Sequence, residues 1–263
     1  SRYDLAVAEE IAARNDIEVK RRVLAQISGR VYERLSPLPP VVNLPEPVPN
    51  DMSQWVARAL DQAFPVRAQE AAVEIAQREI ERNRAGHLPT LDIVAQTNRS
   101  RGISFVNGSV NDTQVTGVGV QLAIPIYSGG AVDSRVREAI ANRDKARFDL
   151  EAAKRQSEFN TRQAFLNYTN GVAQVQALEQ ALRSSEVSLA SNKLGYQVGV
   201  RINIDVLNAE QQVFQTRRDL SRARYDTLLN GLRLRAAAGS LTEFDVARVN
   251  EVLLAQPAQA PRQ

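Results

Sequence analysis

The sequence has no cysteine and a single histidine, His87. The first absence excludes a disulfide scaffold, a thiolate zinc site, an iron–sulfur cluster and a cysteine nucleophile. The second leaves one candidate base for a Ser-His-Asp triad and no set of ligands for a multi-histidine metal centre. Aromatics are scarce, at 5% of 263 residues. Glycine (13) and proline (11) are too few for collagen or for wholesale disorder. No stretch approaches the ~18 consecutive apolar residues of a transmembrane helix. Ser1 is followed by no basic n-region and no apolar h-region, so no signal peptide is read here. An exported protein would then be represented by a mature or truncated piece. An excess of one charge is also missing: 33 basic and 30 acidic residues are interspersed, for a net charge of +3. That balance argues against nucleic acid as the main partner. Arginine supplies 29 of the basic residues, dispersed along helical stretches as on a solvated face. No nucleophile-and-base motif or phosphate loop is recognisable, so the chain is not read as an enzyme and no cofactor is implied.

What is present is unevenly placed. Six of the eleven prolines lie between Pro37 and Pro49, which reads as an extended linker. No proline occurs from Ile126 to Gln256. Within that stretch, Ala131 to Leu194 contains one glycine, Gly171, and is rich in Ala, Glu, Arg, Gln and Leu. Sixty-four residues at 1.5 Å each would make a helix of roughly 95 Å, a length typical of coiled coils and helical barrels. Tyr168, Val175, Leu182 and Leu189 recur at seven-residue spacing, as on a helix seam. A second helical run covers about Ile204 to Ala238. The segment from Gly195 to Arg201, with glycines at both 195 and 199, joins the two as an αα-hairpin.

The middle of the chain has a different period. Val118, Val120, Leu122, Ile124 and Ile126 alternate with Gly117, Gly119, Gln121, Ala123 and Pro125. This pattern predicts a strand with one apolar face and one small or polar face. Leu91, Ile93, Ala95 and Thr97 alternate more weakly. A polar loop, RSRGISFVNGSVNDT, separates the two runs. Each strand has the reach of a transmembrane β-strand, and an isolated pair is only marginally stable. Partner strands are therefore expected from outside this sequence. A repeat is visible too. Ala13, Arg14, Asp16, Leu24, Gly29 and Glu33 match Ala223, Arg224, Asp226, Leu234, Gly239 and Glu243 at a constant offset of 210 residues. On this reading the chain begins in the middle of a duplicated protein.

These features occur together in four stretches: GHLPTLDI at 86–93, VGVQLAIPIYSGG at 118–130, GYQVGVRINIDVLNAEQQ at 195–212 and ARYDTLLNGLRLRAAAGSL at 223–241. On them the chain resembles the C-terminal part of the TolC family of bacterial outer-membrane efflux and type I secretion channel proteins. The resemblance implies a mainly α fold with a β-hairpin. Long helical hairpins would form a helical barrel, and two strands would enter a trimeric transmembrane β-barrel. It implies residues 1–29 as the returning helix of a first hairpin and 30–65 as a linker with an equatorial helix. Residues 66–86 would lead to the barrel, and 87–127 would form two barrel strands with an extracellular loop. Residues 128–240 would be a long periplasmic hairpin with its tip near 195–201, and 241–263 an equatorial helix and tail. The implied role is a channel-tunnel in a tripartite export system, in the outer membrane with a periplasmic helical domain. Its partners would be two further copies, a periplasmic adaptor, an inner-membrane transporter and outer-membrane lipid. A periplasmic adaptor or structural coiled-coil protein is the alternative, and the strand Val118–Ile126 discriminates against it.

Site residues follow from the same resemblance. Tyr196 and Arg201 fall where the family holds its tunnel shut at the periplasmic tip, though turn capping alone would also place them there. Asp205 falls where the family places an acid facing the tunnel, and three copies would form a carboxylate ring that filters cations. The residue three positions on is Asn208, so one ring is expected and not two. A helix N-terminal acid favoured by the dipole is the simpler reading of Asp205. Val118, Val120, Leu122 and Ile124 would face lipid. His87, at a helix-to-strand junction, reads as structural.

Overall fold

The computed structural model describes residues 2–32, 35–39, 42–103 and 110–254. In chain order these form α1 (Arg2–Ser28), α2 (Met52–Gln62), α3 (Phe64–Arg84), a 3₁₀ turn (Ala85–His87), β1 (Thr90–Ile103), β2 (Val110–Ala123), α4 (Ala131–Gln197), α5 (Asn203–Ala237) and α6 (Glu243–Leu254). The fold is mainly helical, with one antiparallel strand pair. Among the described residues no helix is long and apolar enough to cross a membrane.

Two compact units divide the chain. The first comprises Ser1–Glu46, Thr169–Leu232 and Leu241–Gln263. Its centre is the seam between α4 and α5. On α5 Val206, Val213, Leu220 and Thr227 are buried at strict seven-residue spacing. On α4 Val172 and Val175 are buried, and Leu178, Leu182 and Leu189 are half-buried. Val175, Leu220 and Ala223 cluster with Leu44, Leu178 and Leu182. Each large apolar side chain buried in such a seam contributes roughly 1.5–3 kcal/mol. Leu44 comes from the proline-rich segment. That segment has few N–H groups to pair as a strand, so it docks through side chains and through the Leu38 amide, which donates to the Tyr225 hydroxyl at 3.1 Å. Small residues bring the helices close: a Cβ on Gly171 would lie 2.6 Å from Thr227 Oγ1. Arg224 donates to Glu179 and Arg217 to Glu186, both at 2.6 Å, across the hairpin.

The second unit comprises Pro47–Tyr168 and Arg233–Ser240. Asp51 caps α2 by accepting the Ser53 amide at 2.9 Å, and this bond holds its carboxyl below the ordinary value. Trp55 is buried against α2's own entry, with Nε1 donating to the Pro49 carbonyl at 2.8 Å. Ala63 is extended and Pro65 sits in the first turn of α3, so the chain turns there and a new helix begins at Phe64. Ala59, Ala63 and Val66 form a small-residue core against Leu150 of α4. The C-terminal end of α5 meets the same corner. Gly239 has φ +69, and a Cβ there would run into the Gln62 carbonyl. Thr161, fully buried on α4, donates to Ser157 and also lies 3.4 Å from the Ala237 carbonyl, one of the orphan acceptors at the end of α5.

The repeat at offset 210 has a structural counterpart. Gly29 ends α1 at φ +68 as Gly239 ends α5 at φ +69. Of the six matched pairs, Glu33 lies outside the described residues.

In the strand pair, Thr90–Ile103 runs antiparallel to Val110–Ala123 without interruption. Opposed residues share a face, so the register sorts the two sides. One face carries Leu91 with Leu122, Ile93 with Val120, Ala95 with Val118, Thr97 with Thr116, Arg99 with Gln114 and Arg101 with Asp112. The other carries Asp92 with Gln121, Val94 with Gly119, Gln96 with Gly117 and Asn98 with Val115. The strands differ from the sequence expectation at both ends. They extend beyond Thr97 into the expected loop, because polar side chains bridge them there. Thr97 and Thr116 hydroxyls lie 3.1 Å apart, and Arg99 and Arg101 both reach Asp112. At the helical end β2 stops at Ala123, so Ile124 and Ile126 lie past it. Continuing the register would set Ile124 opposite Pro89, which has no N–H to donate.

Candidate functional site

Two regions carry the residues singled out in the sequence. At the hairpin tip, α4 ends in a Schellman motif. Val200 N–H bonds the Gly195 carbonyl at 2.8 Å, Gly199 N–H bonds Tyr196 at 3.1 Å, and Gly199 takes φ +77. The chain then turns through Ile202 into α5, whose first turn carries Asp205. Tyr196 lies in the last turn of α4 with a half-exposed side chain. Arg201 lies in the turn. Its Nη1 is 3.8 Å from Asp205 Oδ2, in an i,i+4 pair with both partners more than a third exposed. An exposed pair of this kind is worth at most ~1 kcal/mol, so it orients the groups more than it stabilises the turn.

The tip thus brings Arg201 and Asp205 together, whereas the sequence reading assigned them separate roles. It also gives Gly195, read in the sequence only as a turn glycine, a second part in placing Arg201. A Cβ on Gly195 would lie 2.7 Å from Arg201 Cγ, so glycine lets the arginine stem cross the end of α4. Around these polar groups, Leu194, Val198, Val200 and Ile202 are exposed.

The second region is the strand pair. Val118, Val120 and Leu122 lie on one face of β2, between 59% and 77% exposed, and Ile124 follows just beyond the strand at 62%. The opposite face of the sheet is exposed as well. Among the described residues neither face is therefore covered as a core. At the base of the pair, His87 Nε2 lies 3.4 Å from Asp133 Oδ1 in the first turn of α4, both half-exposed. Among the described residues no group of three His, Asp or Glu is placed to hold a metal ion.

Residues 55–240 match the outer membrane efflux protein family. The chain belongs to that family, and so to the bacterial outer membrane. It is similar to the proteases secretion protein PrtF of Dickeya chrysanthemi, 34% identical over 95% of this chain and 54% of that protein. It is also similar to the outer membrane protein TolC of Escherichia coli K12, 30% identical over 96% of this chain and 53% of that protein. The fold resembles the crystal structure of the open state of the Neisseria gonorrhoeae MtrE outer membrane channel. That likeness has a TM-score of 0.65 at 20% identity, covering 91% of this chain and 54% of that one. The chain spans about half the length of the curated relatives it matches.

Proposed function

We propose that this chain is the C-terminal half of the protomer of an outer-membrane export channel. In this reading three protomers close a β-barrel, each giving this strand pair and a second pair from its other half. The α4–α5 hairpin lines a periplasmic tunnel. The channel passes protein or small-molecule cargo handed over by an inner-membrane transporter and a periplasmic adaptor. The protein contributes a passage and no catalysis.

The strand pair carries this reading. Strands of 14 residues with an apolar and a small or polar face suit a barrel wall between lipid and water. Every backbone group inside hydrocarbon must be paired, so the pair's outer edges require neighbouring strands. A periplasmic adaptor or a plain coiled coil has no use for such a wall.

At the tip, Tyr196 and Arg201 hold the hairpins of the trimer together, and Asp205 forms the ring that favours cations. Arg201 carries a permanent charge and a fork of donors. It sits beside Asp205 in this chain, so its removal both loosens the tip and bares the carboxylate. The test is single-channel current from the full-length protein in planar bilayers under asymmetric salt. Arg201→Glu with Tyr196→Phe raises conductance. Asp205→Ala in that background shifts the reversal potential toward zero without closing the pore. Unchanged conductance reduces the pair to turn capping, and an unchanged reversal potential removes Asp205 from the filter. A full-length protein that never conducts overturns the channel reading itself.

A further inference from the structure

The face of the strand pair that bears the apolar rows does not stay apolar. From the helical end it runs Leu91/Leu122, Ile93/Val120, Ala95/Val118, then a bonded Thr97–Thr116 row, then Arg99, Arg101, Asp112 and Gln114. The described strand residues include one further charged residue, Asp92, which sits on the opposite face near the helices. Charge at the far end is thus concentrated on the side that the proposed function turns toward lipid. Eight residues separate Leu91 from Arg99. That is roughly 27 Å of strand, or roughly 19 Å along the membrane normal at a tilt of about 45°. The arginines therefore sit at the upper rim of the apolar band, where hydrocarbon gives way to headgroups. A charge costs roughly 2–4 kcal/mol at the bilayer midplane and little at that rim, so the position is tolerable only there.

The arginines are also arranged. Arg99 grips Asp112 with Nε at 3.1 Å and Nη2 at 2.6 Å, and Arg101 reaches the same carboxylate through Nη2 at 3.1 Å. One acid thus orients two guanidinium groups and leaves a net positive charge. Both arginine side chains remain about two-thirds exposed, and each guanidinium has N–H donors beyond those bonded to Asp112. Planar forks of this kind match phosphate oxygens in bidentate geometry.

We propose that Arg99 and Arg101, held by Asp112, bind the phosphate of a lipid headgroup in the outer leaflet against the barrel wall. The inference rests on the lipid-facing reading of Val118, Val120 and Leu122. Such a site anchors the barrel at a fixed height and selects phosphorylated lipids for its boundary layer.

The test uses the full-length protein in phosphatidylcholine vesicles doped with equal small fractions of a bis-phosphorylated glycolipid and its dephosphorylated form. After gentle extraction, native mass spectrometry counts each form retained by the oligomer. A basic residue at a charged membrane surface contributes about fivefold to binding. The wild type should therefore retain the phosphorylated form by about fivefold or more over the other. Arg99→Gln with Arg101→Gln should bring that ratio close to one, and the double lysine variant should keep most of it. Equal retention of both forms by the wild type overturns the proposal without any variant. A glutamine variant that keeps the wild-type ratio overturns it as well. Loss of the retained lipid in millimolar inorganic phosphate would make free phosphate the ligand and overturn the lipid source. A nitroxide at position 120 separates the two levels of the argument. If it responds to water-soluble and not to lipid-soluble quenchers, the lipid-facing reading fails. If it reports lipid while the glutamine variant keeps its preference, the headgroup site alone fails.

Discussion

The strand pair and the α4–α5 hairpin solve the same problem in opposite ways. Each helix bonds its own backbone and needs a partner only for its side-chain seam, which Leu220 and Ala223 supply against Val175 and Thr227 against Gly171. Each strand bonds its backbone only to a neighbour, and among the described residues β1 and β2 have one neighbour apiece. Their apolar side chains find no cover: Ile93 is 80% exposed, whereas Val213 is 3% exposed. The hairpin is thus largely finished within this chain. In the proposed barrel the strand pair is half of a structure whose remainder lies in other strands and in lipid.

The sharpest way to break that contrast is to ask the chain to work alone. Three copies give six strands to a wall that the proposed trimer builds from twice as many. Purified without the remainder of its protomer, the chain should give no conductance steps in planar bilayers, while the full-length protein conducts. Steps from the chain alone would mean that the pair completes its own sheet. Next in size is a pair of truncations read by chemical denaturation of the chain. Leu220→Ala removes a seam side chain and should cost about 2–5 kcal/mol. Val120→Ala should cost no more than about 1 kcal/mol, since among the described residues its neighbour is the cross-strand Ile93 and no core covers it. Comparable losses at the two sites would erase the distinction.

Two finer tests stay inside the helical regions. Gly171→Ala forces a methyl group onto Thr227 and should cost about 1–3 kcal/mol by overpacking. Thr227→Ala in that background should recover part of the loss, and strict additivity in the double-mutant cycle would deny the contact. The smallest effect is at the α2 cap. Asp51 is held below its ordinary value of 3.8 by the Ser53 amide. Its stabilisation is therefore complete above that value and is lost as pH falls through the lowered one. Asp51→Asn should flatten this acid-side slope in a pH series of unfolding curves, leaving the neutral side nearly unchanged.

Much of the helical architecture was legible, because seven-residue spacing and the glycines at 195 and 199 are local signals. The α5 seam was less so. Two of its buried positions are Thr216 and Thr227, which satisfy their hydroxyls on carbonyls one turn back and so carry no apolar signature. The outer halves of the strands read as loop for the same reason, since Arg99, Arg101 and Asp112 pair across a ladder that polar composition conceals. The end of β2 depended on Pro89, thirty-five positions away from Ile124 in the chain and opposite it in register. At the tip, Arg201 and Asp205 were legible as individual residues. Their contact required the turn geometry that Gly195 and Gly199 allow.

The unbroken register of β1 and β2 also constrains how the gene can change. Across Thr90–Ile103 and Val110–Ala123 there is no bulge to absorb an extra residue. A single codon inserted within either strand would swap its two faces along the rest of its length, setting glutamine and asparagine against lipid in the proposed barrel. Two codons would leave every facing intact. The seam of α4 and α5 tolerates a different step: seven or eleven codons, added to both arms at matching heights, since both come within about 20° of whole helical turns whereas a single codon rotates the stripe by about 100°. Length variation among natural homologues should therefore be even-numbered within the strands and in steps of seven or eleven in the hairpin, with irregular increments confined to the turns.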